Sequence, residues 1–198
     1  MPSSVVIVEF VGIPYSKKTS TRVDMQGLLD NNKVRCEVVE EFNGSEFFYR
    51  QRKHSPDVNL VRALHSAQNL IQLSTDPRTE VILVDRGIID ARCWLRWFSA
   101  SAMLPDYYQS TIDCLIKTIE QYCHKYRVVW LDRDPERATY AHGPQGSIVN
   151  ILNLTQMRQA YEEDLVNFSA PFSMHRVNSN DSTSFELASR LISTLKLI

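Results

Sequence analysis

The chain has 198 residues and a mass of 22.8 kDa, the size of one ordinary domain; 43% of its residues are hydrophobic, and it has only 6 glycines and 8 prolines. That composition excludes a disordered or collagen-like chain and supplies the apolar surface for a sizeable core. Lys and Arg number 22 against 23 Asp and Glu, so the net charge of -1 gives no overall attraction to nucleic acid or to an anionic membrane, although a local basic patch is compatible with it.

The first element expected is a strand over Val5 to Val11, a nearly continuous β-branched apolar run that ends at Gly12 and suits burial on both faces of a parallel sheet. It follows no basic leader and is too short to span a bilayer, which points to a soluble cytoplasmic protein. A helix from Thr19 to Leu29, a turn at Asp30-Asn31-Asn32 and a second strand over Val34 to Val39 follow. Ser55-Pro56 opens a helix as N-cap and first-turn proline, with Leu60, Leu64, Ala67, Leu70 and Ile71 on one stripe and Asp76-Pro77 as its end.

Glu80 to Val84 reads as a third strand, Asp90 to Phe98 and Asp106 to Cys123 as helices separated by Pro105, and Arg127 to Leu131 as a fourth strand. A polar segment from Asp132 to Gly146 precedes a helix carrying Leu154, Met157, Tyr161 and Leu165, then a short strand near Phe172 to Val177. Thr183 and Glu186 have capping-box spacing ahead of a last helix with Leu187, Leu191, Ile192 and Leu195. Strands alternating with helices imply one parallel sheet covered on both faces, with ligands at the strands' carboxyl ends.

Those strand ends carry the candidate chemistry. Gly12-Ile13-Pro14-Tyr15-Ser16-Lys17-Lys18-Thr19 follows the Gly-x-x-x-x-Gly-Lys-Ser/Thr phosphate loop except that Lys17 replaces the second glycine. The spacing matters because successive N–H groups must curl around a phosphate at a helix N-terminus, where the helix dipole favours anions. Lys18 would neutralise phosphate charge, Thr19 is placed to ligate Mg²⁺, and Ser16 and Ser20 add donors. If position 17 needs a positive φ, a lysine there costs about 1–2 kcal/mol. Either the surrounding fold offsets that cost, or the loop has lost its activity.

Asp85-Arg86-Gly87 after the third strand offers a carboxylate for Mg²⁺ through water and a guanidinium for phosphate, with an N-cap role as the alternative for Asp85. Arg92 and Arg96 read as a solvated helical face. Glu40-Glu41 after the second strand could take the proton of an attacking hydroxyl; strand alternation puts at most one of them in the crevice unless the strand has already ended. Aromatics and cations mix over Phe47 to His54, which suits either stacking on a base and gripping a backbone or an ordinary surface loop. Arg133 and Arg137 stand at the start of a lid segment, about residues 133–150, and are expected over the phosphates. The four cysteines, Cys36, Cys93, Cys114 and Cys123, lack Cys-x-x-Cys spacing and read as reduced thiols. Trp94, Trp97 and Trp130 read as packing residues, and the five histidines show no metal spacing.

On Glu9-Phe10-Val11-Gly12 with its loop, Glu40-Glu41, Asp85-Arg86, Asp134-Pro135-Glu136-Arg137 and the weaker Tyr161-Glu162-Glu163, the chain resembles the P-loop kinase superfamily, in particular nucleoside and nucleotide kinases of the deoxynucleoside and thymidylate kinase kind. The resemblance covers most of the chain. It implies a single three-layer α/β/α domain with a five-stranded parallel sheet in the order 2-3-1-4-5, and it puts Asp85 opposite Thr19. It further implies that residues 12–19 cradle ATP with Mg²⁺, that the acid after the second strand is the base for the acceptor hydroxyl, and that Arg86 and the lid arginines stabilise the transferring phosphoryl group. The expected partners are a nucleoside-like small molecule and a second copy of the chain, with no membrane. A catalytically impaired nucleotide-binding protein, or a kinase acting on polynucleotide ends or modified bases, is the alternative. Lys17 and the sparse arginines of the lid depart from the family pattern.

Overall fold

The structure, a computed structural model, describes residues 5–42, 55–102, 104–123, 125–142, 149–166 and 172–198. In chain order the elements are β1 (Val6–Val11), α1 (Lys18–Asn31), β2 (Cys36–Val39), α2 (Pro56–Ser74), β3 (Val81–Asp85) and α3 (Ile88–Ser101). They continue with α4 (Asp106–Tyr122), β4 (Lys125–Asp132), α5 (Pro135–His142), α6 (Ile151–Val166), β5 (Ser173–Asn178) and α7 (Ser184–Leu195). The five strands form one parallel sheet in the order β2-β3-β1-β4-β5, the order implied by the resemblance.

Side-chain alternation along the strands divides the core into two layers. Ile7 and Val11 of β1, Ile82 and Val84 of β3, and Tyr126, Val128 and Trp130 of β4 face α2, α3, α4 and α6. Val8, Phe10, Val81, Leu83, Val129 and Leu131 face the opposite way, onto Met25 and Leu29 of α1 and Leu191 and Leu195 of α7. One side of the sheet therefore carries a thick helical layer and the other a thin one. Trp94 and Trp130 are buried and pack as expected, and Arg176 of the edge strand β5 lies over the Trp130 ring at 4.2 Å. Among the described residues no helix is long and apolar enough to cross a membrane. All four cysteines are free.

Local signals explain the element boundaries. Ser55 caps α2 by accepting from Val58 N–H, with Pro56 in the first turn, and Thr183 and Glu186 form the complete capping box on α7. The second strand starts at Cys36 rather than Val34, because Lys33 takes a left-handed turn and Val34 N–H still bonds to Leu29 O. The segment after β4, expected as a polar stretch with no element assigned to it, contains α5 over residues 135–142. Pro135 at its first position and Glu136 in its first turn favour that start. Residues 143–148 of the expected lid and the aromatic and basic Phe47 to His54 segment lie outside the described residues.

Replacing Thr183 by Ala removes the cap of α7 and should lower stability by about 1 kcal/mol, read as an earlier midpoint in urea unfolding at unchanged slope.

Candidate active site

β1 is central, with β3 and β4 on either side, so its last residue delivers the chain to the middle of the sheet's carboxyl edge. There Gly12 turns at φ 147°, and a Cβ on it would lie 2.7 Å from both Leu131 O and Ser16 Oγ, so only glycine fits. Tyr15 (φ 63°) and Lys17 (φ 72°) are also left-handed, and Lys17 is the N-cap of α1 with no side chain capping that helix. The positive φ considered for position 17 is therefore present, and α1 starts without a side-chain bond from its N-cap residue to its first N–H groups.

Lys18 is buried, and its ammonium donates to Gly12 O at 2.5 Å, Ile13 O at 2.9 Å and Ser16 Oγ at 3.4 Å. Burial lowers its pKa to about 8, as does nearby Arg86, against the opposing pull of Asp90, Asp85 and Glu41. Ser16 and Pro14 are buried with it, whereas Thr19 and Ser20 are exposed and Ser20 Oγ donates to Lys17 O. Arg133 is 9% exposed and donates from Nη1 to Tyr15 O at 2.8 Å, bracing the loop from the β4 side. Arg137, at the surface, pairs with Asp181.

The acids separate by exposure. β2 ends at Val39, so both glutamates lie beyond it and strand alternation does not apply. Glu40 is 74% exposed and paired with Arg22, turned away from the cluster. Glu41 is turned inward, 2.9 Å from Arg62 of α2 and 3.5 Å from Arg86. Asp85 ends β3 on the strand face that α1 covers; it is buried, and its Oδ1 has no hydrogen-bond partner. Asp85 does not cap the next helix: the N-cap of α3 is Gly87, without a side-chain bond. Arg86 is left-handed at φ 60°. Arg92, expected on a solvated face, is instead drawn inward by Asp113 at 2.8 Å and Asp164 at 3.0 Å, tying α3 to α4 and α6. Arg96 does lie on the surface, near Glu163.

A second polar layer lies behind the loop, and the sequence reading gave it no role. Glu9 is fully buried, accepting from Asp90 N–H at 2.8 Å and from Tyr126 Oη at 2.5 Å. Asp90 in turn accepts Gly12 N–H at 3.2 Å and Tyr161 Oη at 2.7 Å. Gly87 makes room for this layer, since a Cβ there would lie 2.7 Å from Glu9 Cδ. The signal available was the single charge inside the apolar run Val5 to Val11. Burial pushes Glu9 up to about 7, opposed by its bonds from Tyr126 and Asp90; burial also raises Asp90 against the pull of Lys18 and Arg86.

Between the ordinary carboxyl value of 4.5 and about 7, folded Glu9 holds a proton that the unfolded chain releases. Its contribution to stability is therefore full below the lower value and lost as pH rises through the upper one. Urea unfolding should show that decline, and Glu9→Gln, which keeps an oxygen for Asp90 N–H, should flatten it; an unchanged slope in the variant would assign the proton to another group.

A scan against protein-family models finds no match to the chain, and a search of curated proteins finds none either.

Proposed function

We propose that the protein is an ATP- and Mg²⁺-dependent phosphotransferase whose acceptor is a hydroxyl or phosphate of a nucleoside-like small molecule. The observation that carries this reading is the turn from β1 into α1. It combines left-handed residues at 12, 15 and 17, an uncapped helix N-terminus and a buried lysine bonded to oxygens of its own loop. Such a turn suits a phosphate chain better than any neutral ligand, because N–H dipoles and an ammonium converge on one place.

The residues also fit a magnesium ion. Asp85 Oδ1 is a buried carboxylate oxygen without a partner, an expensive arrangement that a metal-bound water would satisfy, and the Thr19 hydroxyl stands on the first turn of α1. Among the described residues no group of three or more His, Cys, Asp or Glu could hold a metal alone; a Mg²⁺ in a nucleotide site takes most of its remaining ligands from phosphate and water. When bound, that ion neutralises charge on the terminal phosphates.

The chain's own residues would do the rest. Lys18 exchanges its carbonyl partners for phosphate oxygens, and the loop amides hold the donor in line. For a hydroxyl acceptor, Glu41 would take its proton while the hydroxyl oxygen bonds to the terminal phosphorus and the bond from that phosphorus to the bridging oxygen breaks, with ADP leaving. Arg86, beside Glu41, supplies guanidinium donors to the equatorial oxygens, and Arg133 stays as a brace. Arg137 reaches the phosphates only by leaving Asp181.

ADP release followed across nucleosides, nucleotides and oligonucleotides tests the reading and its alternatives. Lys18→Ala should lower turnover by at least about a hundredfold and abolish thermal stabilisation by Mg-ATP. Glu41→Gln should lower kcat by about 10²–10⁴-fold while leaving ADP binding intact. Stabilisation by Mg-ATP without turnover on any acceptor would favour the catalytically impaired nucleotide-binding protein, and no stabilisation at millimolar Mg-ATP would end the kinase reading.

A further inference from the structure

The lysine that replaces a glycine in the loop makes a specific tertiary contact. Lys17 donates from Nζ to Ser179 O at 3.0 Å and to Ser182 O at 2.5 Å, both in the turn that joins β5 to α7. That turn is attached on its other side to the loop after β4. Ser179 N–H and Oγ both reach Asp132 O, Asp134 N–H donates to Asn180 Oδ1, and Asp181 pairs with Arg137. The β4 loop in turn braces the phosphate loop through Arg133 and Tyr15 O. The loops after β1, β4 and β5 thus close a ring of hydrogen bonds, and Lys17 supplies the link from the first to the last. A glycine at 17 would adopt the left-handed conformation without strain and would leave the two serine carbonyls without this donor.

We propose that Lys17 is a positioning residue whose ammonium fastens the phosphate loop to the turn after β5, holding the loop in its anion-binding shape and so setting its affinity for nucleotide. This rests on the reading of the loop as a nucleotide site. The lysine carries the φ strain that glycine avoids and compensates with two charge-assisted bonds to an adjacent loop. Pre-organisation of this kind acts on binding and not on the phosphoryl transfer step.

Three variants separate strain from attachment. Lys17→Met keeps the left-handed residue and the side-chain stem but removes the charge; Lys17→Arg restores a cation; Lys17→Gly removes strain and attachment together. Without nucleotide, amide hydrogen exchange at residues 179–183 should quicken about tenfold in the Met variant and return close to the parent rate in the Arg variant. ADP affinity should weaken about tenfold in the Met and Gly variants and recover with Arg. In turnover, KM for ATP should rise while kcat holds within about twofold. Equal exchange in parent and Met variant would overturn the attachment, and a Gly variant binding ADP as tightly as the parent would overturn its role in affinity. A parent chain that fails to bind ADP removes the nucleotide reading by itself, and the exchange data still decide whether Lys17 fastens the turn.

Discussion

A strand buried on both faces with a neighbour on each side has no freedom in where it ends, and the candidate site depends on that constraint. β1 is held by β3 and β4 in register, Val8 pairing with Leu83 and with Arg127. Gly12 therefore leaves the sheet between the ends of two other strands, in space set by Leu131 O and Ser16 Oγ. The left-handed residues that follow bend the chain back into α1, whose axis is fixed by Met25 and Leu29 on the sheet. Lys18, Asp85 and Arg86 meet because the sheet order makes β3 and β1 neighbours.

Charge inside this arrangement is handled in two tiers. Beside the loop, cations and acids are mixed: Lys18, Arg86 and Arg62 stand with Glu41, Asp85 and Asp90, so burying several charges leaves little net field. Behind the loop, Glu9 lies among apolar neighbours with two hydroxyl- or amide-donating partners, and protonation is how such a site avoids the larger penalty of a buried anion. Asp90 joins the tiers, since one of its oxygens receives both the Gly12 amide and Tyr161.

The parallel sheet, its layers and most helix starts were legible because each rests on a local rule: β-branched runs for the central strands, Ser55-Pro56 and Thr183 to Glu186 for the helix caps. The turn from β1 into a helix at residues 12–19 was legible from spacing, and the left-handed conformation raised as a condition for residue 17 is the one it adopts. What spacing does not carry is the partner of a long side chain. Asp113 and Asp164, which hold Arg92 half-buried, come from other elements, so no local pattern on its own helix marks them. Glu40 and Glu41 were indistinguishable until the strand end and the positions of Arg22, Arg62 and Arg86 separated them. The Tyr126–Glu9 bond spans more than half the chain, and no local pattern announces it.

The unequal covering of the sheet has a consequence for how the molecule breathes. Among the described residues α1 and α7 are the helices on the thin side, and α1 begins directly at the loop that follows β1. Excursions that lift α1 and α7 away from Phe10 and Leu83 would loosen the turn from Gly12 to Lys18 while leaving the thick layer intact. On the proposed reading, a phosphate held by that turn would act as a rivet, suppressing those excursions as its concentration rises, so partial opening of one face and ligand occupancy would be two readings of a single equilibrium.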